Sequence, residues 1–241
     1  LVLLNADLGE GYDDADRNIM PFINQANIAC GGHTGDRDSI GATAELAKRH
    51  GVSIGAHPSY ADRAHFGRKS VKIELGELEQ QLFDQISRVA DACLSLSTKM
   101  SHIKAHGALY NDANDQNAIM QLLLRQAKTF ECALMVQCLP EHDMLATREY
   151  AETLGVALVL EGFADRAYLQ TGRLAPRSLD GAVYSNLEAI TTQALQLAQR
   201  QPIQCIDAQN QQLLLKIDSL CVHGDNQMAI DAAAKIHNAL H

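Results

Sequence analysis

Lys104-Ala105-His106-Gly107 ends one short run of this chain, and three other runs end the same way, with a histidine set among small residues. They are Cys30-Gly31-Gly32-His33, Gly55-Ala56-His57-Pro58 and Val222-His223-Gly224-Asp225. The runs themselves, His102–Ala105, Ala26–Cys30, Val52–Ala56 and Leu213–Val222, are short or uniformly apolar, as strands buried on both faces are. Val2–Ala6, Ala133–Val136 and Ala157–Leu160 complete a set of seven. Between them the periodicity turns helical, most clearly at Leu75, Leu78, Leu82, Ile86, Val89 and Cys93, which share one helix face. Ser39–His50, Asp115–Phe130, Met144–Leu154, Asn186–Gln199 and Gln227–Leu240 read alike. Strands alternating with helices admit an open doubly wound sheet or a closed barrel. An open sheet gathers its chemistry at one switch point, whereas a barrel draws it from many strand ends. Reactive groups close nearly every strand here, so the expected fold is α/β, a TIM-like (β/α) barrel of about seven parallel strands, with residues 1–241 as one domain. Ile203–Asp207 and Leu213–Lys216, flanking polar Ala208–Gln212, are expected to form a hairpin inserted before the last strand.

The 20 Lys and Arg residues stand against 29 Asp and Glu, a net charge of −9. Such a surface repels phosphate backbones and anionic lipid, which argues against nucleic-acid and membrane partners. No apolar run approaches the ~20 residues of a spanning helix and no secretory leader opens the sequence, so a cytoplasmic location is expected. Six scattered cysteines without C-x-x-C spacing read as reduced thiols, Cys30 included.

The opening strand runs into Asn5-Ala6-Asp7-Leu8-Gly9-Glu10, where alternation places Asn5 and Asp7 on one side, toward a barrel mouth. Burial and mutual repulsion of Asp7 and Glu10 are expected to raise the pKa of one of them toward a general base's range, with Asp7 as the expected base and Glu10 near enough to tune it. The alternative is a structural Asx turn. A single histidine is more often a satisfied core residue, but four at equivalent strand ends point to His33, His57, His106 and His223 as proton carriers or metal ligands. Lys104 lies two residues before His106, faces the same way and is suited to stabilising an oxyanion or phosphoryl group. Glu161 ends the sixth strand, and Asp165 and Arg166 follow it. Two long connections, Ser59–Ser70 with Arg63 and Arg68, and Ala164–Ser178 with Arg166, Arg173 and Arg177, look like lids that bind an anion. Asn5, Glu161, Asp165, His223 and Asp225 join the arginines as candidate substrate or phosphate contacts, and no P-loop is present.

The stretches NADLGEGYDDADRNIMPFINQANIACGGHTGD (5–36), GAHPSYADRAHFGR (55–68), KAHGALYN (104–111), EGFADRAY (161–168) and CVHGDN (221–226) resemble the LamB/YcsF family of 5-oxoprolinase A subunits. One departure is Ala105, where the family more often has Pro. The resemblance implies a barrel related to the polysaccharide deacetylases and cleavage of 5-oxo-L-proline to L-glutamate with hydrolysis of ATP. It also implies B and C subunits as partners, and ATP brings the possibility of Mg²⁺. Two other readings stay open: a metal-dependent deacetylase using Asp7, His33 and His57, or a non-catalytic subunit that binds a small anion.

Overall fold

All five residues of Gln25–Ala29 are buried, as only a strand covered on both faces allows. This strand, β2, pairs in parallel with β1 (Leu3–Leu8) and β3 (Ser53–His57). The computed structural model describes residues 2–223 and 226–240. Parallel pairing continues through β4 (His102–Lys104), β5 (Ala133–Gln137) and β6 (Leu158–Phe163). After the surface hairpin of β7 (Ile203–Cys205) and β8 (Ala208–Leu213), the short β9 (Ser219–Cys221) pairs with both β6 and β1 and closes a seven-stranded barrel. Helices α1 (Asp13–Ile19), α2 (Arg37–His50), α3 (Leu75–Ser95), α4 (Gly107–Asp115), α5 (Asn117–Thr129), α6 (Glu141–Leu154), α7 (Leu187–Ala198) and α8 (Gln227–Leu240) accompany it. On α3, Leu78, Leu82, Ile86, Val89 and Cys93 are buried as their spacing requires. No helix of the described residues is long and apolar enough to cross a membrane.

The last strand differs from the sequence expectation. Ala208–Gln212 is strand rather than loop, and only Ser219–Cys221 of Leu213–Val222 joins the barrel. The hairpin turns at residues 206–207, and its second strand is polar because it lies on the surface, outside the barrel. The helix expected to begin at Asp115 starts at Asn117, and α4 precedes it unanticipated.

Barrel interiors of this kind are usually filled by branched apolar side chains. Here the middle is a polar layer. Asn5 donates to Ser219 Oγ (2.8 Å), and Ser219 donates to Gln25 (2.7 Å). Asn27 donates to Asn5 (2.9 Å) and accepts from His102 Nε2 (2.7 Å). Gly55 makes room for that imidazole: a Cβ there would come within 2.5 Å of three His102 ring atoms. His102 is tied at both nitrogens, to Asn27 and Ser101, and cannot swing aside. Gly55→Ala is therefore expected to destabilise the fold by about 1–3 kcal/mol, the usual cost of overpacking a core. A urea melt showing an unchanged midpoint would refute the packing role of this glycine.

Candidate active site

Each candidate side chain is placed by the end of a strand. The alternation of β1 points Asp7 inward, and the turn that follows is fixed by Asp16, whose carboxylate accepts from the Gly9 N–H at 2.7 Å. That turn carries Glu10 over the mouth. From β4, Lys104 reaches across the lumen to Asp7 Oδ1 and to Glu161 Oε1 of β6, at 2.8 Å each. Tyr110 of α4 donates to the other Glu161 oxygen at 2.7 Å. Lys104 is 2% exposed and Glu161 0%, so the group is enclosed.

Burial alone would push the Asp7 carboxyl up, but His57 and Lys104 outweigh it and hold it well below its ordinary value. The expected upward tuning of Asp7 by Glu10 is thus reversed, because Glu10 turns toward His33 Nε2 (3.0 Å) and His106 Nδ1 (3.5 Å). Burial would lower the Lys104 pKa, yet Asp7, Cys221 and Glu161 hold it well above normal. Burial, with Lys104 and His57, brings His102 down to about 3. Burial, His57 and His33 bring His106 to about 2, and burial lowers His33. These three imidazoles are therefore neutral near pH 7 and offer lone pairs. His57 Nε2 stands 3.4 Å from Asp7 Oδ2 and 3.0 Å from His106 Nδ1. On the opposite wall His223 pairs with Asp165 at 2.6 Å; burial opposes that charge, but Asp165 raises the His223 pKa.

Two adjoining cavities of about 440 and 140 Å³ open above these groups and share Asp7, Glu10, Arg68, Arg177 and His223 in their linings. His57, Lys104, His106 and Arg173 line the larger, and Asp165 the smaller. Other candidates are spent on other contacts or lie outside the cavities. Asn5 is 0% exposed and spent on the polar layer below the mouth, out of reach of a ligand. Arg63 donates to the Gly35 carbonyl at the surface and lines neither cavity, since its short 3-10 turn faces away. Arg166 lines the larger cavity, but it gives its donors to the carbonyls of Ala175 and Ala182, and burial lowers its pKa to about 10; it braces its own loop. Asp225 lies outside the described residues. Cys30 is a packed thiol, with burial raising its pKa to about 12. Asn27, Tyr110, Gln25 and Ser219 do not stand out in the sequence, although inward alternation on β2 could have indicated Gln25 and Asn27.

A model of the LamB/YcsF family matches residues 2–241. The chain belongs to the LamB/YcsF family. It is 40% identical to a 5-oxoprolinase A subunit of Pseudomonas aeruginosa over 99% of this chain and 96% of that one. It is 38% identical to the 5-oxoprolinase A subunit of Chromohalobacter salexigens, with the same coverage. The crystal structure of a lactam utilization protein from Thermus thermophilus superposes with a TM-score of 0.86 at 33% identity, covering 99% of this chain and 95% of that one.

In this LamB/YcsF chain both long connections bear on the mouth. Phe66 packs edge-on against His33 and His106, and its carbonyl takes the His106 Nε2 hydrogen bond at 3.0 Å. The Gly67 carbonyl accepts from Ala108 at the start of α4 (2.9 Å), where a Cβ on Gly107 would strike it. The connection after β6 has a small apolar core of Ala167, Ala175 and Ala182. Lys104 ties β1, β4 and β6 together, and removing its charge strands two buried carboxylates. Lys104→Met is expected to cost about 3–5 kcal/mol, the loss typical when one member of a buried ion pair is deleted. The deficit should shrink as pH falls and the carboxylates are protonated; a melting temperature that matches wild type at pH 7 would show the charge is not structural.

Proposed function

We propose that this chain works as the A component of an ATP-dependent 5-oxoprolinase, opening the lactam of 5-oxo-L-proline to L-glutamate together with B and C subunits. The observation that carries the reading is whole-length similarity to proteins named as 5-oxoprolinase A subunits, joined to a mouth whose floor is rich in proton acceptors and whose rim bears arginines.

The five-membered lactam is a resonance-stabilised amide whose leaving nitrogen stays tethered, so water alone opens it slowly and reclosure competes. Phosphate groups suit Arg68 and Arg177, which line the larger cavity, while Arg173 beside them is held by Asp115 and the Asn114 carbonyl. ATP supplies activation of the amide oxygen. Mg²⁺ would travel with the nucleotide, keeping most of its water and needing no cage of side chains.

Asp7 has one oxygen for structure and one for chemistry. Its Oδ1 accepts from Lys104 and Asn27, both at 2.8 Å, while Oδ2 faces His57. This second oxygen orients the attacking water and receives its proton. A carboxylate held so acidic is a weak base, which fits a reaction that first activates the amide. Lys104 acts through Asp7: its ammonium is committed to two carboxylates, so it positions the acceptor rather than meeting a developing oxyanion. The carboxylate of 5-oxoproline would pair with the rim, and the connections 59–70 and 164–178 would close over it.

Closure has its own readout. Hydrogen exchange in both connections should slow when 5-oxoproline and nucleotide are added to the assembled complex, while barrel strands keep their rates; identical exchange with and without ligands would remove the lids from the scheme.

The central test follows glutamate release by the chain co-expressed with its partner subunits, each omitted in turn. Release should require all of them. Asp7→Asn should assemble and bind 5-oxoproline while turnover falls ~10²- to 10⁴-fold, the range of lost general-base catalysis. Near-normal turnover in that variant would make Asp7 a structural residue, and absence of glutamate from the full complex would reject the reading.

A further inference from the structure

His57 and His106 meet at the floor of the mouth through facing ring nitrogens. Nδ1 of His57 lies 2.8 Å from the Lys104 carbonyl oxygen, and Nε2 of His106 lies 3.0 Å from that of Phe66. A carbonyl only accepts, so both rings carry their hydrogen on the outward nitrogen. The inner nitrogens face each other at 3.0 Å with no hydrogen of a neutral ring between them, so either a shared proton or a bound cation must lie there. Acceptors flank them on either side. Asp7 Oδ2 is 3.4 Å from His57 Nε2, and Glu10 Oε1 is 3.5 Å from His106 Nδ1.

We infer that this cluster holds a divalent transition-metal ion of the zinc class, with Glu10 Oε1, His57 Nε2 and His106 Nδ1 as its ligands. Ligand atoms arranged tetrahedrally at zinc's usual bond lengths stand about 3.3 Å apart, and the steps of 3.0 and 3.5 Å bracket that value. All three atoms lie within 4.8 Å of one another. An outward N–H bonded to a backbone carbonyl is also how metal-binding imidazoles are held in the required tautomer. The two rings cross at 85°, so their lone pairs approach one point from different directions. His33 is excluded from the ligand set by its stacking on His106, at 4° and 3.7 Å, which runs its lone pair alongside instead of inward. Its Nε2, 3.0 Å from Glu10 Oε1, orients that carboxylate. Lys104 is committed to Asp7 and Glu161, and among the described ion pairs Glu10 faces only imidazoles. With His57 1% and His106 7% exposed, the site is enclosed on the barrel side. Glu10, His57 and His106 all line the larger cavity, which leaves a coordination position open there, as in catalytic rather than structural sites.

The site does not depend on the 5-oxoprolinase reading. If both hold, the imidazole lone pairs belong to the ion and Asp7 Oδ2 remains the acceptor beside it.

The test is metal binding by the chain alone, without its partners and without turnover. Protein stripped with chelator is titrated with Zn²⁺ by calorimetry and with Co²⁺ by visible absorption. One equivalent should bind, with the strong d–d bands of a low-coordinate, nitrogen-containing site, and the melting temperature should rise. His106→Ala and Glu10→Gln should each weaken binding more than about 100-fold, whereas His33→Ala should lose about 10- to 100-fold, as an outer partner does. His142→Ala, at an exposed histidine on α6, should change nothing. Circular dichroism checks folding, and if His106→Ala is unfolded, Glu10→Gln at the cavity wall carries the comparison. No stoichiometric binding by wild type, or binding retained in folded Glu10→Gln, overturns the site and leaves the two histidines sharing a proton.

Discussion

Lys104 stands between Asp7 and Glu161, a single buried ammonium held by carboxylates from two other strands of the barrel. Taking one such ion out of water costs several kcal/mol, and only close, well-directed partners offset it. The triad therefore works as a fixed point: β1, β4 and β6 must keep their register for it to exist, and with it in place Asp7 is ionised and aimed. One Asp7 oxygen is consumed by Lys104 and Asn27, so the other has a defined direction, toward His57. The geometry of the mouth follows from where this carboxylate is pinned.

Below the triad the lumen is a hydrogen-bonded polar layer, and above it the strand ends offer acceptors to the cavity. The layer settles donors against acceptors completely enough that Asn5, Gln25, Asn27, His102 and Ser219 can all be buried. Burial keeps His33 and His106 above it neutral. The cations of the mouth come instead from the loops, through Arg68 and Arg177, with Arg173 already paired to Asp115. The rigid barrel thus supplies acceptors of fixed position, and the connections supply cations that can adjust.

The barrel is legible in the sequence because its strands are short and largely apolar and end in a repeated knot of small residues and histidine; both signals survive without tertiary context. The strand-end rule also locates Asp7, His57, Lys104 and His106, since alternation dictates which side chains enter the mouth. It fails where side-chain pairing decides the chemistry. Glu10 is three residues from Asp7 and reads as its electrostatic neighbour, yet the turn anchored by Asp16 carries it to His33 and His106. Asn5 follows the same alternation as Asp7 but sits one pleat deeper, and depth is invisible to a period of two. The arginines divide for a similar reason. Charge shows in sequence, but both Arg68 and Arg166 line the larger cavity, and whether a guanidinium there is spent on carbonyls of its own loop, as that of Arg166 is, depends on loop closure. Polar Ala208–Gln212 reads as a loop only if every strand is required to face the core, whereas this hairpin lies outside it.

An overall charge of −9 is ill suited to anionic substrates at long range, but it is the local arrangement that a small ligand meets. Within the mouth, Glu161 and one oxygen of Asp7 are neutralised by Lys104, and Asp165 by His223. On the rim Arg173 is paired with Asp115 at 2.7 Å, but Arg68 lies over the Phe66 ring rather than against a carboxylate. A carboxylate or phosphate entering from solvent therefore meets guanidinium groups before it meets the acids, and the acids beneath are already partnered. Pairing the floor internally lowers the repulsion that the proton acceptors of a strongly acidic barrel would exert on an anion at its mouth.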